Sequence, residues 1–160
     1  MELNEVTSID VNEVLSTSPA QLTHKVGVAF DDNMEPTVGF VIVSKDSPQV
    51  RDAASRMRAL GIKRQSNKRT KIDAKTEDGA EELDKIMQKS DFEIALAAVV
   101  DWFGFTSNGQ PIPFDPKMVR QMFEVRPSWR EKVSADLEAD ENFLKRSLPS
   151  LSNSPVENSN

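Results

Sequence analysis

From Leu22 to Phe30 alternate positions are apolar at Leu22, Val26, Val28 and Phe30, with His24 on the same side. A period of two predicts a strand with one buried face. The run Asp31-Asp32-Asn33-Met34-Glu35-Pro36 predicts a turn, and Thr37 to Ser44, with Val38, Phe40, Val41, Ile42 and Val43, predicts a second strand, so the pair reads as a β-hairpin. At Asp46-Ser47-Pro48 the pattern becomes helical: Asp46 or Ser47 can cap the free N–H groups, and Pro48 suits the first turn because its missing donor would be unpaired there. The predicted helix runs from Pro48 to about Gly61, with Val50, Ala53, Ala54, Met57 and Leu60 at helical spacing and Arg51, Arg56 and Arg58 largely elsewhere on the wheel.

A long helix is predicted from Asp78 or Gly79 to about Phe103. Its first half is amphipathic through Leu83, Ile86 and Met87, and its second half, Ile94 to Val100, is apolar almost all round, which assigns it to the core centre or to a partner. Asn108-Gly109 is a tight-turn signal, and Pro111-Ile112-Pro113-Phe114 cannot continue a helix, so an extended segment folds back beside the helix end. Trp102, Phe105 and Phe114 are the aromatics that would pin it. Asp115-Pro116 starts a short helix carrying Met118, Val119, Met122 and Phe123; Arg126-Pro127-Ser128 breaks it, and a last helix is expected over about 128–144 with Trp129, Val133, Leu137, Phe143 and Leu144.

Before Leu22 the spacing of Val6, Ile9, Val11, Val14 and Leu15 fits a short helix or a mobile arm, and the polar stretch 147–160 has too few apolar residues to offset its ordering entropy. The organisation expected is a flexible arm over 1–20, one α+β domain over 21–146 and a disordered tail over 147–160. Within the domain an N-terminal β-hairpin precedes a mainly helical bundle of about four helices, with a basic linker at about 62–72.

The 160 residues include 26 acidic and 20 basic side chains, a net charge of −6, and no cysteine. Disulfides, thiolate metal sites and a cysteine nucleophile are therefore excluded, and a single histidine leaves a transition-metal centre only carboxylates to draw on. No 18-residue apolar run occurs and the N-terminus has no basic-then-apolar leader, so membrane spanning and secretion are disfavoured. No glycine-rich phosphate loop and no nucleophile elbow is present, and the acidic pairs Asp31-Asp32, Glu81-Glu82 and Asp140-Glu141 sit in polar surroundings. His24 reads as a strand-start histidine with one satisfied hydrogen bond, since no partner for chemistry stands near it in sequence. The expectation is a non-enzymatic binding or assembly protein with no catalytic residues, cofactor or metal.

Charge is unevenly spread. Residues 51–71 carry eight basic side chains and one acid, Asp52, a local +7 against −13 for the rest. Arg51, Arg58, Lys63, Arg64, Lys68, Arg69 and Lys71 are thus candidates for contact with nucleic acid or an acidic partner. No aromatic lies between Phe40 and Phe92 to stack bases, and the acidic stretch from Asp73 to Asp84 offers intramolecular pairing instead.

Several motifs occur in a telling order: Leu96-Ala97-Ala98-Val99-Val100-Asp101-Trp102-Phe103-Gly104-Phe105, then Asn108-Gly109-Gln110-Pro111-Ile112-Pro113-Phe114-Asp115, Val119-Arg120-Gln121-Met122-Phe123, Pro127-Ser128-Trp129-Arg130-Glu131-Lys132-Val133, and Asn142-Phe143-Leu144. This series resembles the tail assembly chaperones of long-tailed bacteriophages and prophages. In that family a helix ends in a Trp-containing turn, a Gly-x-Pro-x-Pro-Phe-like loop follows, and a short helix precedes a proline and a last helix ending in Asn-Phe-Leu. The hairpin and Arg-rich helix around Val38 to Arg58 match the family layout, so the resemblance covers roughly 22–146. It implies a non-enzymatic protein of the host cytoplasm, absent from the mature virion, that binds the tape-measure protein and tail-tube subunits and promotes tube polymerisation, with self-association as a further expectation. In many members a frameshifted longer form coexists with a short one. Alternatives are a nucleic-acid-associated protein using 51–71 and a structural tail component retained in the virion. The family supplies no catalytic residues; for partner contact the side chains themselves suggest Met118, Met122, Phe123, Trp129, Phe143 and Leu144 as an adaptable Met/aromatic groove, or else as the core of a helical subdomain.

Overall fold

The computed structural model describes residues 8–19 and 22–144. The expected tail over 147–160, and the arm before Ser8, lie outside the described residues. In chain order the elements are α1 (Val11–Ser16), β1 (Thr23–Phe30), β2 (Pro36–Val43), α2 (Pro48–Ser66), α3 (Glu77–Ala98), β3 (Val99–Phe103), β4 (Thr106–Ser107), β5 (Gln110–Pro111), α4 (Pro116–Val125), α5 (Pro127–Glu138) and a 3-10 turn at Asp140–Phe143. The chain is α+β, hairpin first and helices after.

β1 and β2 pair antiparallel with His24 opposite Ile42 and Val26 opposite Phe40, and the ladder is irregular between Gly27 and Phe30. The connecting turn is held by Asp31, whose Oδ1 accepts from the backbone N–H of Asn33 and of Glu35, both at 2.9 Å. β3 adds antiparallel to the other edge of β2, Gly39 opposite Phe103 and Phe40 opposite Trp102, so β2 is the central strand.

β3 corrects the sequence reading. The long helix does not reach Phe103 but ends at Ala98, and the chain passes straight into a strand. Val99 and Val100 are β-branched and favour extended backbone, and β2 would otherwise present an open edge to the helical layer. The apolar run does lie at the centre, since Ala95 and Ala98 are fully buried and Val99 nearly so. Three smaller differences follow from local chemistry. α2 continues to Ser66, because Lys63, Arg64 and Gln65 are good helix formers and cations suit a helix C-terminus; the basic linker therefore begins at Asn67. Neither Asp46 nor Ser47 makes the expected side-chain cap. α5 stops at Glu138, and the Asn142 Nδ2–H donates to the Asp136 carbonyl at 3.0 Å, satisfying one of the helix's end acceptors across the 3-10 turn.

The core lies between one face of the sheet and the helices. Phe40 is its hub, its ring 5.3 Å from Phe105, 5.3 Å from Phe123 and 6.1 Å from Trp129. Val119 and Phe123 from α4, and Val133 and Leu137 from α5, enter it at i, i+4 spacing. The proline loop is anchored as expected: Trp102 Nε1–H donates to the Ile112 carbonyl at 3.0 Å, and its ring lies 5.5 Å from both Phe105 and Phe114. Asn108 and Gly109 both have positive φ, 52° and 77°, as a two-residue hairpin turn requires.

Candidate functional site

α4 starts where Asp115 caps it, its Oδ1 accepting from Lys117 N–H at 2.9 Å, with Pro116 in the first turn. That start fixes the helix's rotation. Val119 and Phe123 point into the core, which leaves Met118, Met122 and Val125 along the neighbouring edge. Met118, Met122 and Val125 meet Trp129 of α5 and Phe105 of the loop after β3 around an open groove of about 350 Å³, with Gln121 and Arg126 at its border. The lining is thus nearly all carbon and sulfur, and Val125 at its lip is 76% exposed. Phe105 and Trp129 pack on each other at 5.8 Å and on Phe40, so the groove has an aromatic floor backed by the core.

The six residues suggested for partner contact do not form one surface. Met118, Met122 and Trp129 line this groove. Phe123, 1% exposed, lies in the core beneath it. Phe143 and Leu144 are elsewhere, lining a second depression of about 350 Å³ between the 3-10 turn and the N-terminal arm, with Ile9, Val14 and Leu22. Phe143 is buried and lies 6.0 Å from the His24 ring. The two groove residues missed by sequence reading, Phe105 and Val125, were hidden for different reasons. Phe105 read as a loop anchor, and Val125 stands next to the helix-breaking Arg126-Pro127 pair.

His24 finds a partner invisible to local sequence: its Nε2–H donates to Asp136 Oδ2 of α5 at 3.0 Å, tying the start of β1 to the last helix. Nearby, Lys45 Nζ lies 3.1 Å from Asp140 Oδ1 and 3.7 Å from Glu138 Oε2, and the hydrogen bond to Asp140 raises the lysine's pKa above its ordinary value. Across the helices, Arg120 grips Glu93 with two parallel bonds, Nη1 to Oε1 at 2.9 Å and Nη2 to Oε2 at 3.0 Å, while its guanidinium lies 5.3 Å from the Phe92 ring centre. Those bonds hold the Glu93 carboxyl below the usual carboxylate range and raise Arg120. These are structural pairs; none faces the groove.

The basic set occupies α2 and the linker after it. α2 and α3 form an antiparallel hairpin that brings the basic end of one beside the acidic start of the other. The expected pairing is sparse, one contact between Arg64 Nη1 and Glu82 Oε1 at 4.0 Å. Arg51, Arg58, Lys63, Lys68, Arg69 and Lys71 are exposed and form no ion pair within the described residues. Among the described residues no group of three or more His, Asp or Glu is placed to hold a metal ion, and no helix is long and apolar enough to cross a membrane. No protein-family model matches the chain, and no curated protein or solved structure shows significant similarity to it.

Proposed function

We propose that this protein is a non-enzymatic tail assembly chaperone of a long-tailed phage or prophage. It binds the tape-measure protein in the host cytoplasm, keeps it soluble while tail-tube subunits polymerise around it, and leaves before the virion is complete. The observation that carries this reading is the open groove of Phe105, Met118, Met122, Val125 and Trp129. A long amphipathic helix exposes an apolar stripe that aggregates unless covered, and an open apolar groove is the surface on which such a stripe docks. Methionine suits a site that must accept successive, non-identical turns of one long client, because its thioether side chain bends to the shape it meets. The aromatic floor supplies the rigid part, and the chain's net charge of −6 helps a loaded complex stay dispersed.

The test is co-expression with a long, helix-rich tape-measure protein of the same phage or prophage. The expected result is transfer of that protein from pellet to supernatant and co-purification, both lost in the double variant Met118→Ser with Val125→Asp. Both positions are exposed, so the variant should fold and melt as the parent does. A client that is equally soluble without the chain, or rescued equally by the double variant, refutes the reading. Mass spectrometry of purified particles separates a chaperone that departs from a tail component that stays.

A further inference from the structure

We infer that the outer part of the α2–α3 hairpin is a second docking surface, built for an acidic amphipathic helix of a partner protein. The surface lies away from the client groove. Its floor is a shallow cleft of about 210 Å³ between the two helices, formed by Met57, Leu60 and Gly61 of α2 and Ile86 of α3, and its borders are Arg64 and Lys89. These positions follow from helical spacing: 57, 60, 61 and 64 share one side of α2, and 86, 89 and 90 one side of α3.

Two features say what covers it. First, the apolar floor stays open to water: Leu60 is 56% exposed, and Met57 and Ile86 are only half-buried. A hairpin serving only as a solvated spacer has no use for three large apolar side chains grouped along one open cleft. Second, the cleft's own lining holds two cations, Arg64 and Lys89, and no carboxylate, while the acids Glu81, Glu82 and Asp84 lie toward the start of α3. Residues 53–72 contain seven basic side chains and no acid, and residues 85–90 add Lys85 and Lys89 and again no acid. Of these cations, Arg64 reaches Glu82 at 4.0 Å and Lys85 pairs with Glu81 at 2.7 Å; the others have no ion-pair partner within the described residues. An apolar cleft bordered by Arg64, loosely held by Glu82, and by Lys89, which has no ion-pair partner among the described residues, is complementary to a helix with an apolar stripe flanked by Asp or Glu. Single-stranded nucleic acid fits less well, because no aromatic stands between Phe40 and Phe92 for bases to stack on, and for a duplex the leucine, isoleucine and methionine of the cleft contribute nothing to phosphate contact.

The surface is independent of the client groove, so each can fail alone. The experiment is fluorescence anisotropy of the full chain against two labelled probes: a synthetic helical peptide of about five turns with leucine at i, i+3, i+4 and i+7 and glutamate beside them, and a duplex DNA of similar length. The peptide should bind, with affinity falling about tenfold or more in Arg64→Glu with Lys89→Glu, and again in Leu60→Ser. In a Val125→Asp background, which disables the client groove, the peptide should still bind and should still lose affinity on charge reversal at Arg64 and Lys89. Circular dichroism melts verify that each exposed-site variant is folded. Failure of the peptide to bind, or binding indifferent to Leu60→Ser, overturns the inference. Tighter binding of the duplex, lost on charge reversal but not in Leu60→Ser, assigns the surface to phosphates instead. Sedimentation showing a dimer that the charge-reversed variant breaks assigns it to a second copy, the acidic arm around Asp10, Val14 and Leu15 then being the first candidate occupant.

Discussion

Ser47 sets two rules of helix chemistry against each other. It stands at the N-cap of α2 with extended backbone, φ −65° and ψ 148°, and Pro48 follows it in the first turn. A serine in that position, changed to alanine, ordinarily costs about 1 kcal/mol through the lost cap. Here the side chain makes no cap bond, the residue is wholly buried, and its Oγ has no hydrogen-bond partner among the described residues. A buried hydroxyl without a partner carries a desolvation cost of about 1–3 kcal/mol. Ser47→Ala removes that cost and leaves a hole of one oxygen, worth about 0.3 kcal/mol by the volume scaling of core cavities. The variant should therefore be more stable by about 1 kcal/mol, raising Tm by roughly 2–4 °C for a chain of this size. Urea unfolding followed by fluorescence of Trp102 and Trp129 measures it. Two working caps provide the comparison, Thr76, whose Oγ1 accepts from Gly79 N–H at 3.0 Å, and Asp115, which accepts from Lys117 N–H at 2.9 Å. Thr76→Ala and Asp115→Ala should each lose about 1 kcal/mol. If Ser47→Ala loses stability by the same amount, its hydroxyl caps the helix in solution and the reasoning is wrong.

Three further outcomes are expected. Glu93→Gln should cost about 0.5–1 kcal/mol, a modest figure because the Arg120 side chain is 44% exposed and the pair is partly screened. Since Arg120 holds the folded Glu93 pKa below its unfolded value, the pair's contribution is full above about pH 4.3 and is lost as pH falls through the lower folded value; a parent-minus-variant stability difference that does not shrink in acid would refute this. Gly61 lies inside α2, and a Cβ built there meets nothing within 4 Å; Gly61→Ala should stabilise by about 0.5–1 kcal/mol in a thermal melt, and a destabilisation would mean that α2 and α3 approach more closely than described. Amide hydrogen exchange should open the outer hairpin, residues 55–66 and 77–90, well before β2 and the end of α3, where Phe40, Ala95 and Ala98 are fully buried; uniform protection along α3 would overturn that ordering.

The period of two around Val26, the β-rich run around Phe40, and the cap and proline at Asp115-Pro116 are local signals, and the hairpin and α4 fall where those signals lie. Val99–Phe103 was not legible in the same way. A run that is apolar on all sides has no period, so helix and strand are distinguished by what it meets, here the free edge of β2 about 60 residues earlier. The same limit applies to the candidate site. Met118, Met122 and Trp129 could be brought together from two neighbouring helical wheels, but Phe143 and Leu144 depart because α5 ends at Glu138 and the 3-10 turn carries them toward His24. The bond from His24 to Asp136 spans 112 residues, and no spacing rule reaches that far.

The two apolar surfaces differ in what stands behind them, and that difference bears on how each can bind. The α4–α5 groove rests on Phe105 and Trp129, which pack directly on the fully buried Phe40. Deforming its floor means disturbing the centre of the core, so any accommodation to a partner must come from Met118, Met122 and Val125 at its rim. The outer hairpin has no such backing: its cleft is lined by Met57 and Leu60 of α2 and half-buried Ile86 of α3, and over that stretch no residue of either helix is fully buried. A seam this thin can adjust its helix separation at small cost. A fixed floor with a soft rim suits repeated capture of similar apolar stripes, whereas a charged, compliant hairpin would gain order on filling its cleft. On that basis peptide binding at the hairpin should slow amide exchange in residues 55–66 and 77–90, while client binding at the groove should leave those amides as they were.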